Sequence, residues 1–200
     1  SGPRGIEMDV SLDGGRSFGQ DRFITKHPGG WDIEIPGIGR ANGMPVTEVD
    51  HSEGDFSGSI YVNWVDNRNG DYDVYCISSR DGGQSWSEAV RVNNDPISNG
   101  KDQFFTWMGV DPVDGSLNIA FYDRRNSEGT ETGLTLARST DGGKSFTNYQ
   151  INQPLFNTYD NRFFGDYIGV DAYDGRVVVA YQYFKEDGNL SLAAAVFDFE

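Results

Sequence analysis

The sequence predicts an all-β protein built from four-stranded antiparallel blades that are arranged as a β-propeller. Three observations support this fold class. An eight-residue phrase, Ser-x-Asp-Gly-Gly-x-Ser-aromatic, occurs at 11–18, 79–86 and 139–146. The last two copies are 60 residues apart, and apolar residues alternate along the segments that flank them. No segment shows a capped 3.6-residue apolar period, so we expect almost no helix.

Each copy of the phrase has the composition of a tight turn between two strands. The side chains of Asp13, Asp81 and Asp141 can accept hydrogen bonds from backbone N–H groups just ahead of them, and the glycines that follow tolerate positive φ. The phrase resembles the Asp-box, or BNR repeat, of sialidase-like β-propellers. In that family it joins the two outer strands of a blade, away from the active site. The resemblance therefore implies that these three aspartates are structural and not catalytic.

A second repeated element sets the blade boundaries. The segment 109–115 recurs as 169–175, and an alternating apolar strand follows each copy. In a single domain over 1–200, we predict a partial blade at 5–26, full blades at 44–93 and 104–152, and a partial blade at 166–199. That gives three blades and one spare strand, whereas propellers close with four to eight blades. We therefore expect part of a six-bladed propeller, whose open edges meet the remainder of its own propeller or a partner chain.

The overall charge narrows the range of partners. The chain has 16 Lys and Arg residues against 31 Asp and Glu residues, a formal net charge of −15. This balance argues against binding to nucleic acid or to anionic membrane surfaces. The longest apolar run, 192–197, is far too short to insert into a bilayer. The single cysteine, Cys76, can form no internal disulfide, and we expect a buried thiol.

One face of the predicted propeller carries the candidate catalytic residues. The loops that enter the first strand of each blade, and those that join the second strand to the third, gather on this face. An arginine binds a carboxylate through two parallel hydrogen bonds, an Asp can act as a general acid, and sialidases use a Tyr nucleophile. Three of the candidates depart from the repeat pattern, which favours a functional role for them: Arg162, Asp166 and Tyr167. The other two are Arg124 and Arg125.

A structural alternative applies where the same loop motif recurs. Asp-x-Arg follows the second strand of two consecutive blades, as Asp66–Arg68 and as Asp123–Arg125. Such a pair can fix its own loop through a local ion pair. Because the motif repeats, we favour this structural role for Asp66, Arg68 and Asp123.

Within this family, the sequence resembles the secreted bacterial proteins. The resemblance implies a secreted or cell-surface protein that is directed at extracellular glycans and has glycoside hydrolase activity of the exo-sialidase type. The family's Phe/Tyr-Arg-Ile-Pro motif is absent from the 200 residues, and Arg40-Ala-Asn-Gly-Met-Pro45 matches it poorly. Two alternatives stay open: a non-catalytic carbohydrate-binding or adhesion module, and a structural propeller in a larger assembly.

The first Asp-x-Arg loop also suggests a metal site. Asp66, Asp71 and Asp73 stand close together in the sequence, with two asparagines between them. Ca²⁺ prefers oxygen ligands of this kind. The spacing does not match an EF-hand loop, and Asp and Asn are common in any turn. A calcium site formed by these three aspartates is therefore one hypothesis, and a simple turn is the other. We predict no other cofactor.

Overall fold

The computed structural model describes residues 5–151 and 154–199 of the chain. These residues form fifteen β-strands and no helix. The strands are β1 (Gly5–Met8), β2 (Arg22–Lys26), β3 (Asp32–Ile33), β4 (Ala41–Asn42), β5 (Val46–Val49), β6 (Ile60–Asp66), β7 (Asp73–Ser79), β8 (Val90–Arg91), β9 (Gln103–Val110), β10 (Leu117–Asp123), β11 (Gly133–Ser139), β12 (Thr147–Gln150), β13 (Gly169–Tyr173), β14 (Arg176–Phe184) and β15 (Leu190–Asp198).

All strand pairs are antiparallel. Strands β5–β8 form a four-stranded first sheet, β9–β12 a four-stranded middle sheet, and β13–β15 a three-stranded third sheet, each in chain order. Strands β1–β2 and β3–β4 form separate two-stranded sheets. No sheet in the described part of the chain closes on itself.

The prediction of an all-β chain is confirmed. The β3–β4 hairpin was not predicted, because strands of two residues are too short to show an alternating pattern.

The three larger sheets pack against one another in chain order. Strand β9, which opens the middle sheet, contacts both β5 and β13, the opening strands of its two neighbours. The core between the sheets includes Leu117 and Leu134, which are fully buried. The Tyr122 hydroxyl crosses from the middle to the third sheet, where it donates to the carbonyl oxygen of Gln182 at 2.8 Å and accepts from the Gln182 amide at 3.2 Å.

A smaller core joins the N-terminal hairpin to the first sheet. Ile6 of β1 packs with Trp64 of β6 and Ile77 of β7 on the face of the first sheet that points away from the middle sheet. The first sheet is therefore covered on both faces, although β1 and β2 cover only part of one face.

The three Ser-x-Asp-Gly-Gly phrases lie in the turns β1–β2, β7–β8 and β11–β12. In the second turn, Asp81 accepts hydrogen bonds from the Gln84 amide (2.9 Å), the Ser85 amide (2.9 Å) and the hydroxyls of Ser85 (2.6 Å) and Ser79 (2.8 Å). Hydrogen bonds to the carboxylate, the largest from the Ser85 hydroxyl, lower the pKa of Asp81 to about 2. These carboxylates are thus occupied within their own turns. The turns lie at the opposite end of the strands from the loops that carry the candidate catalytic residues.

Candidate functional site

The segment between β2 and β5, residues 27–45, brings together residues that are distant in sequence. His27 anchors its start, because the buried imidazole Nε2 donates to the carbonyl oxygen of Val65 at 3.0 Å. The β3–β4 hairpin then lies against β9. Ile33, Ile35 and Ile38 are buried in the main core. Apolar burial therefore holds the segment across the loop end of the middle sheet.

Close backbone contacts fix where this segment lies. A Cβ atom on Gly39 would stand 2.3 Å from the carbonyl oxygen of Asp160, and one on Gly37 would stand 2.9 Å from Cβ of Thr130. Only glycine fits at these two positions without displacing its neighbours. The segment therefore lies directly on the loops around 130 and 158–160, and this contact places Arg40 beside the loop that precedes β13.

Arg40 forms an ion pair with Asp166 across 126 residues of sequence. Arg40 Nε donates to Asp166 Oδ1 at 3.1 Å, and Nη2 donates to Oδ2. The amide of Asn42 also approaches the Asp166 carbonyl oxygen at 3.5 Å. The Arg40 guanidinium lies 5.6 Å from the centre of the Phe163 ring. Its side chain is 66% exposed, so solvent or a ligand can reach this charged pair.

Aromatic side chains surround the pair. A cleft of about 130 Å³ is lined by Trp31, Asp32, Arg40, Ala41, Asn42, Asp166 and Tyr167. The side chains of Trp31, Tyr167 and the adjacent Phe163 are each more than half exposed. Tyr167 also meets the edge of the Trp107 ring, with centroids 6.0 Å apart. Exposed aromatic rings beside a few polar groups are typical of binding sites. We call Trp31, Arg40, Phe163, Asp166 and Tyr167 the aromatic cleft.

The predicted residue Arg162 does not line this cleft. Its Nη1 donates to the carbonyl oxygen of Gly188, and its guanidinium stacks 4.9 Å from the centre of the Tyr159 ring. Tyr159 lines a groove of about 330 Å³ together with Tyr181 and Tyr183. The structure therefore brings Asp166 and Tyr167 together in the cleft, while Arg162 contacts Tyr159, which lines a neighbouring groove.

Arg124 is buried below these loops. Its Nε donates to the Thr132 hydroxyl at 3.2 Å, its Nη2 donates to the Thr158 hydroxyl at 3.1 Å, and the guanidinium lies 5.1 Å from the centre of the Phe104 ring. Burial lowers the pKa of Arg124 to about 10. It forms no ion pair with the described residues. Its two threonine contacts join the β10–β11 loop to the loop that precedes β13.

Arg125 lies apart from the cleft and binds residues of its own sheet and of the loop between β8 and β9. Its Nε donates to Asp123 Oδ2 at 2.5 Å, its Nη1 donates to Asn94 Oδ1 at 2.5 Å, and its Nη2 donates to Asn148 Oδ1 at 2.9 Å. These contacts occupy all three nitrogens of the guanidinium. A catalytic role for Arg125 therefore has no geometric support.

The earlier copy of the motif forms the same local pair. Arg68 Nε donates to Asp66 Oδ1 at 2.9 Å, and Nη2 donates to Asp66 Oδ2 at 2.6 Å. The buried Asp66 also accepts from the Trp64 indole at 2.7 Å. Both Asp-x-Arg motifs thus form ion pairs that fix their own loops, the role we favoured for Asp66, Arg68 and Asp123.

The three aspartates of the hypothetical calcium site do not converge. Asp66 is taken by Arg68, and Asp73 Oδ1 accepts from Arg91 Nε at 2.7 Å and from Asn93 at 2.7 Å. Asp71 instead accepts from the amide of Gly100 at 2.8 Å. Within 5–151 and 154–199, no group of three or more His, Cys, Asp or Glu side chains has a metal-binding arrangement. The geometry therefore gives the calcium hypothesis no support.

Three residues of the aromatic cleft, Trp31, Arg40 and Phe163, were not among the predicted site residues. Trp31 and Arg40 lie in the segment 27–45, which does not belong to the 60-residue repeat. Departure from the repeat was the criterion that favoured Asp166 and Tyr167, and the same criterion applies to this segment. The contact of this segment with a loop more than 120 residues away produces no pattern in the sequence that could have predicted it.

Comparison with solved structures shows a shared fold with glycosidases. An intramolecular trans-sialidase from Ruminococcus gnavus aligns over 96% of this chain and 40% of its own, with TM-score 0.55 and 15% identity. A leech intramolecular trans-sialidase aligns over 96% of this chain and 29% of its own, with TM-score 0.56 and 15% identity. An α-L-arabinofuranosidase from Fusarium graminearum aligns over 94% of this chain and 54% of its own, with TM-score 0.53 and 14% identity.

This chain therefore spans between 29% and 54% of these three solved chains. No protein-family model matches the sequence. No curated protein matches it either. Within the described residues, no helix is long and apolar enough to cross a membrane.

Proposed function

We propose that this chain is a glycan-directed segment of a glycosidase-type β-propeller and that the aromatic cleft binds a saccharide. The observation that carries the proposal is the Arg40–Asp166 pair, whose arginine is largely exposed, flanked by Trp31, Phe163 and Tyr167. The likeness in fold to sialidases and to an arabinofuranosidase supports a carbohydrate ligand. The propeller arrangement is supported by the contacts of β9 with β5 and β13, which place the opening strands of three sheets side by side.

The chemistry of the cleft suits a sugar. The C–H faces of a pyranose or furanose ring can stack on the exposed aromatic rings, which excludes water from both surfaces. The sugar hydroxyl oxygens can accept hydrogen bonds from the Arg40 guanidinium, and the sugar O–H groups can donate to the Asp166 carboxylate. The charged pair supplies both kinds of partner side by side. We also propose that the protein is secreted or at the cell surface, where extracellular glycans are found.

A second candidate function is hydrolysis of the exo-sialidase type. Its support is the adjacency of a carboxylate, a tyrosine and an arginine at Asp166, Tyr167 and Arg40, since sialidases use a Tyr nucleophile. The leech trans-sialidase in the comparison was solved with 2,7-anhydro-Neu5Ac bound. Against it, Arg68 and Arg125 are engaged by carboxylates of their own loops and are not available to bind a sialic acid carboxylate. The geometry thus favours binding over catalysis.

Retention on immobilised oligosaccharides tests the binding proposal. Columns carrying sialyllactose and arabino-oligosaccharides should retard the native chain, and Trp31→Ala and Tyr167→Ala should abolish the retardation. Tyr173→Ala, which removes an exposed aromatic ring outside the cleft, is the matched control and should elute as the native chain does. Retention that survives both cleft substitutions would disprove the proposal, as would a chain that neither column retards.

Turnover of a fluorogenic sialoside separates the second function from the first. Hydrolysis that is lost in Asp166→Asn, while saccharide retention persists, would establish catalysis at the cleft. Retention without turnover would leave the protein a binding module.

A further inference from the structure

A cavity between the second and third Ser-x-Asp-Gly-Gly turns, 79–86 and 139–146, contains two basic side chains. Its volume is about 420 Å³. Arg80 of the second turn and Lys144 of the third turn line it, together with Phe56 of the connection between β5 and β6. No carboxylate of the described residues lines this cavity, although the chain has 31 Asp and Glu residues. The cavity therefore carries a local positive charge in an acidic protein.

The Phe56 ring keeps the two basic side chains near each other. The ring lies against Gly142, where an added Cβ atom would stand 2.4 Å from it. The Arg80 guanidinium lies 5.1 Å from the centre of the ring, and the Lys144 ammonium lies 5.6 Å from it. Arg80 also donates to the carbonyl oxygen of Asp55 at 2.5 Å. Neither cation forms an ion pair with the described residues, so both can donate to a further acceptor.

Two more residues of the cavity have a buried polar atom without a partner. The indole N–H of Trp86 and the hydroxyl of Ser59 are shielded from solvent and have no hydrogen-bond partner among the described residues. Buried donors are almost always paired in folded proteins, because an unpaired donor loses its bond to water without replacement. A ligand that accepts hydrogen bonds would satisfy both groups.

The groups in the cavity depart from the repeat. The second turn has Arg80 where the other two turns have Leu and Thr, and it has Trp86 where they have Phe. The third turn has Lys144 where the second has Gln84. Phe56 belongs to a connection that is longer than its counterparts between β9 and β10 and between β13 and β14. The repeated turn itself therefore does not require these side chains.

We propose that this cavity binds a tetrahedral oxyanion, a sulfate or phosphate group, and we call its residues Phe56, Ser59, Arg80, Trp86 and Lys144 the basic cavity. Such a group has several acceptor oxygens, which can accept from a guanidinium, an ammonium, an indole N–H and a hydroxyl together. A chain with a formal net charge of −15 repels anions at long range, so binding depends on these local donors. The proposal does not depend on the carbohydrate function, because the basic cavity and the aromatic cleft lie at opposite ends of the strands.

An NMR titration of the isotope-labelled 200-residue chain with sodium sulfate tests the proposal. The indole N–H resonance of Trp86, identified by its loss in Trp86→Phe, should shift and saturate, and sodium chloride at the same ionic strength should not reproduce the shift. Arg80→Thr and Lys144→Gln should each weaken the affinity about tenfold, because each removes one charge-assisted hydrogen bond. Both variants should fold, since Thr140 and Gln84 stand at these places in other copies of the turn.

Arg16→Gln is the matched control for the loss of one positive charge. Arg16 stands at the place of Lys144 in the first turn, is exposed and does not line the cavity, so this variant should keep the native affinity. A Trp86 indole resonance that does not respond to sulfate would overturn the proposal. So would an affinity that is unchanged in both Arg80→Thr and Lys144→Gln. A loss in Arg16→Gln as large as that in Lys144→Gln would also overturn it, because overall charge alone would then explain the binding.

A second titration identifies the source of the anion. Glucose 6-sulfate carries the same group on a sugar ring that can stack on Phe56 or Trp86, and glucose lacks the group. Tighter binding of glucose 6-sulfate than of inorganic sulfate would support the site and assign it to a sulfated saccharide, whereas equal binding would support it as a site for the free ion. Glucose that binds as tightly as glucose 6-sulfate would contradict the proposal, since the oxyanion would then contribute nothing.

Discussion

Two kinds of Asp–Arg pair serve different purposes in this protein. In the Asp123–Arg125 pair, and in its counterpart one sheet earlier, the partners are two residues apart and the carboxylate is buried. In the Arg40–Asp166 pair the partners are 126 residues apart and the arginine is largely exposed. The first kind recurs with the repeat, and the second lies outside it.

The difference shows how a repeated fold acquires a site. A local pair forms wherever the loop sequence recurs, and its buried carboxylate has no capacity left for a ligand. The Arg40–Asp166 pair exists because an inserted segment lies across the loop end of the middle sheet. The pair joins the segment to the loop that precedes β13, and it forms the polar part of the cleft. The following predictions test this division, from the largest expected effect to the smallest.

Asp123→Asn should destabilise the protein by about 3–5 kcal/mol, the usual cost of breaking a buried ion pair. The native carboxylate accepts from Arg125 at 2.5 Å, from the Thr135 hydroxyl at 2.6 Å and from the Gln103 amide at 3.2 Å. Urea unfolding measures the loss. Asp166→Asn is the control and should cost less than about 1 kcal/mol, as expected for a pair whose arginine is open to solvent. Equal costs for the two variants would contradict the division between structural and exposed pairs.

Arg40→Ala should have the reverse profile. Its cost in unfolding free energy should stay below about 1 kcal/mol, while affinity for a retained saccharide falls about tenfold, equivalent to about 1.4 kcal/mol. Titration calorimetry with the sugar identified by column retention measures the affinity. Arg68→Ala serves for comparison, because it should destabilise the fold and leave the affinity of the folded fraction unchanged. Native affinity in the Arg40→Ala protein would show that the saccharide binds outside the aromatic cleft.

His27 should make the anchor of the inserted segment sensitive to acid. Burial lowers the pKa of His27, so the folded state favours the neutral imidazole. Its stabilising contribution is present above the unfolded pKa of about 6.5 and is lost as the pH falls below that value. The urea midpoint should therefore decrease between pH 7.5 and 5.5, and the decrease should be smaller in His27→Gln. Identical pH profiles for the two proteins would rule out this role.

The carboxylates of the repeated turns should titrate far below their usual range. The hydrogen bonds within each turn lower the pKa of Asp13 and Asp81 from 3.8 to about 2. Their contribution to stability is therefore present above pH 3.8 and lost as the pH falls through about 2. NMR titration of the side-chain carboxyl carbons should give midpoints near 2, and Ser85→Ala should raise the midpoint of Asp81 only. Midpoints near 3.8 would show that the turn hydrogen bonds are not maintained in solution.

The sequence predicted what is encoded locally. The Ser-x-Asp-Gly-Gly turns and the alternating strands depend on neighbouring residues, so their patterns were visible, as were the Asp-x-Arg pairs. The geometry gives the calcium hypothesis no support, because Asp73 forms an ion pair with Arg91, 18 residues further along the chain. The aromatic cleft was only half predicted. Asp166 and Tyr167 departed from the repeat, but their contact with Arg40 depends on how residues 27–45 lie over the middle sheet, which no local pattern records.

The burial of Cys76 makes the chain convenient to attach to a surface in a known orientation. Burial raises the pKa of this thiol to about 12, so maleimides should leave it unmodified. A cysteine placed at the exposed Gln84 would then be the single reactive thiol. Because Gln84 lies in a turn at the far end of the strands, the aromatic cleft would point away from the support. A sensor chip prepared in this way would present every molecule to a glycan solution with the same side outward.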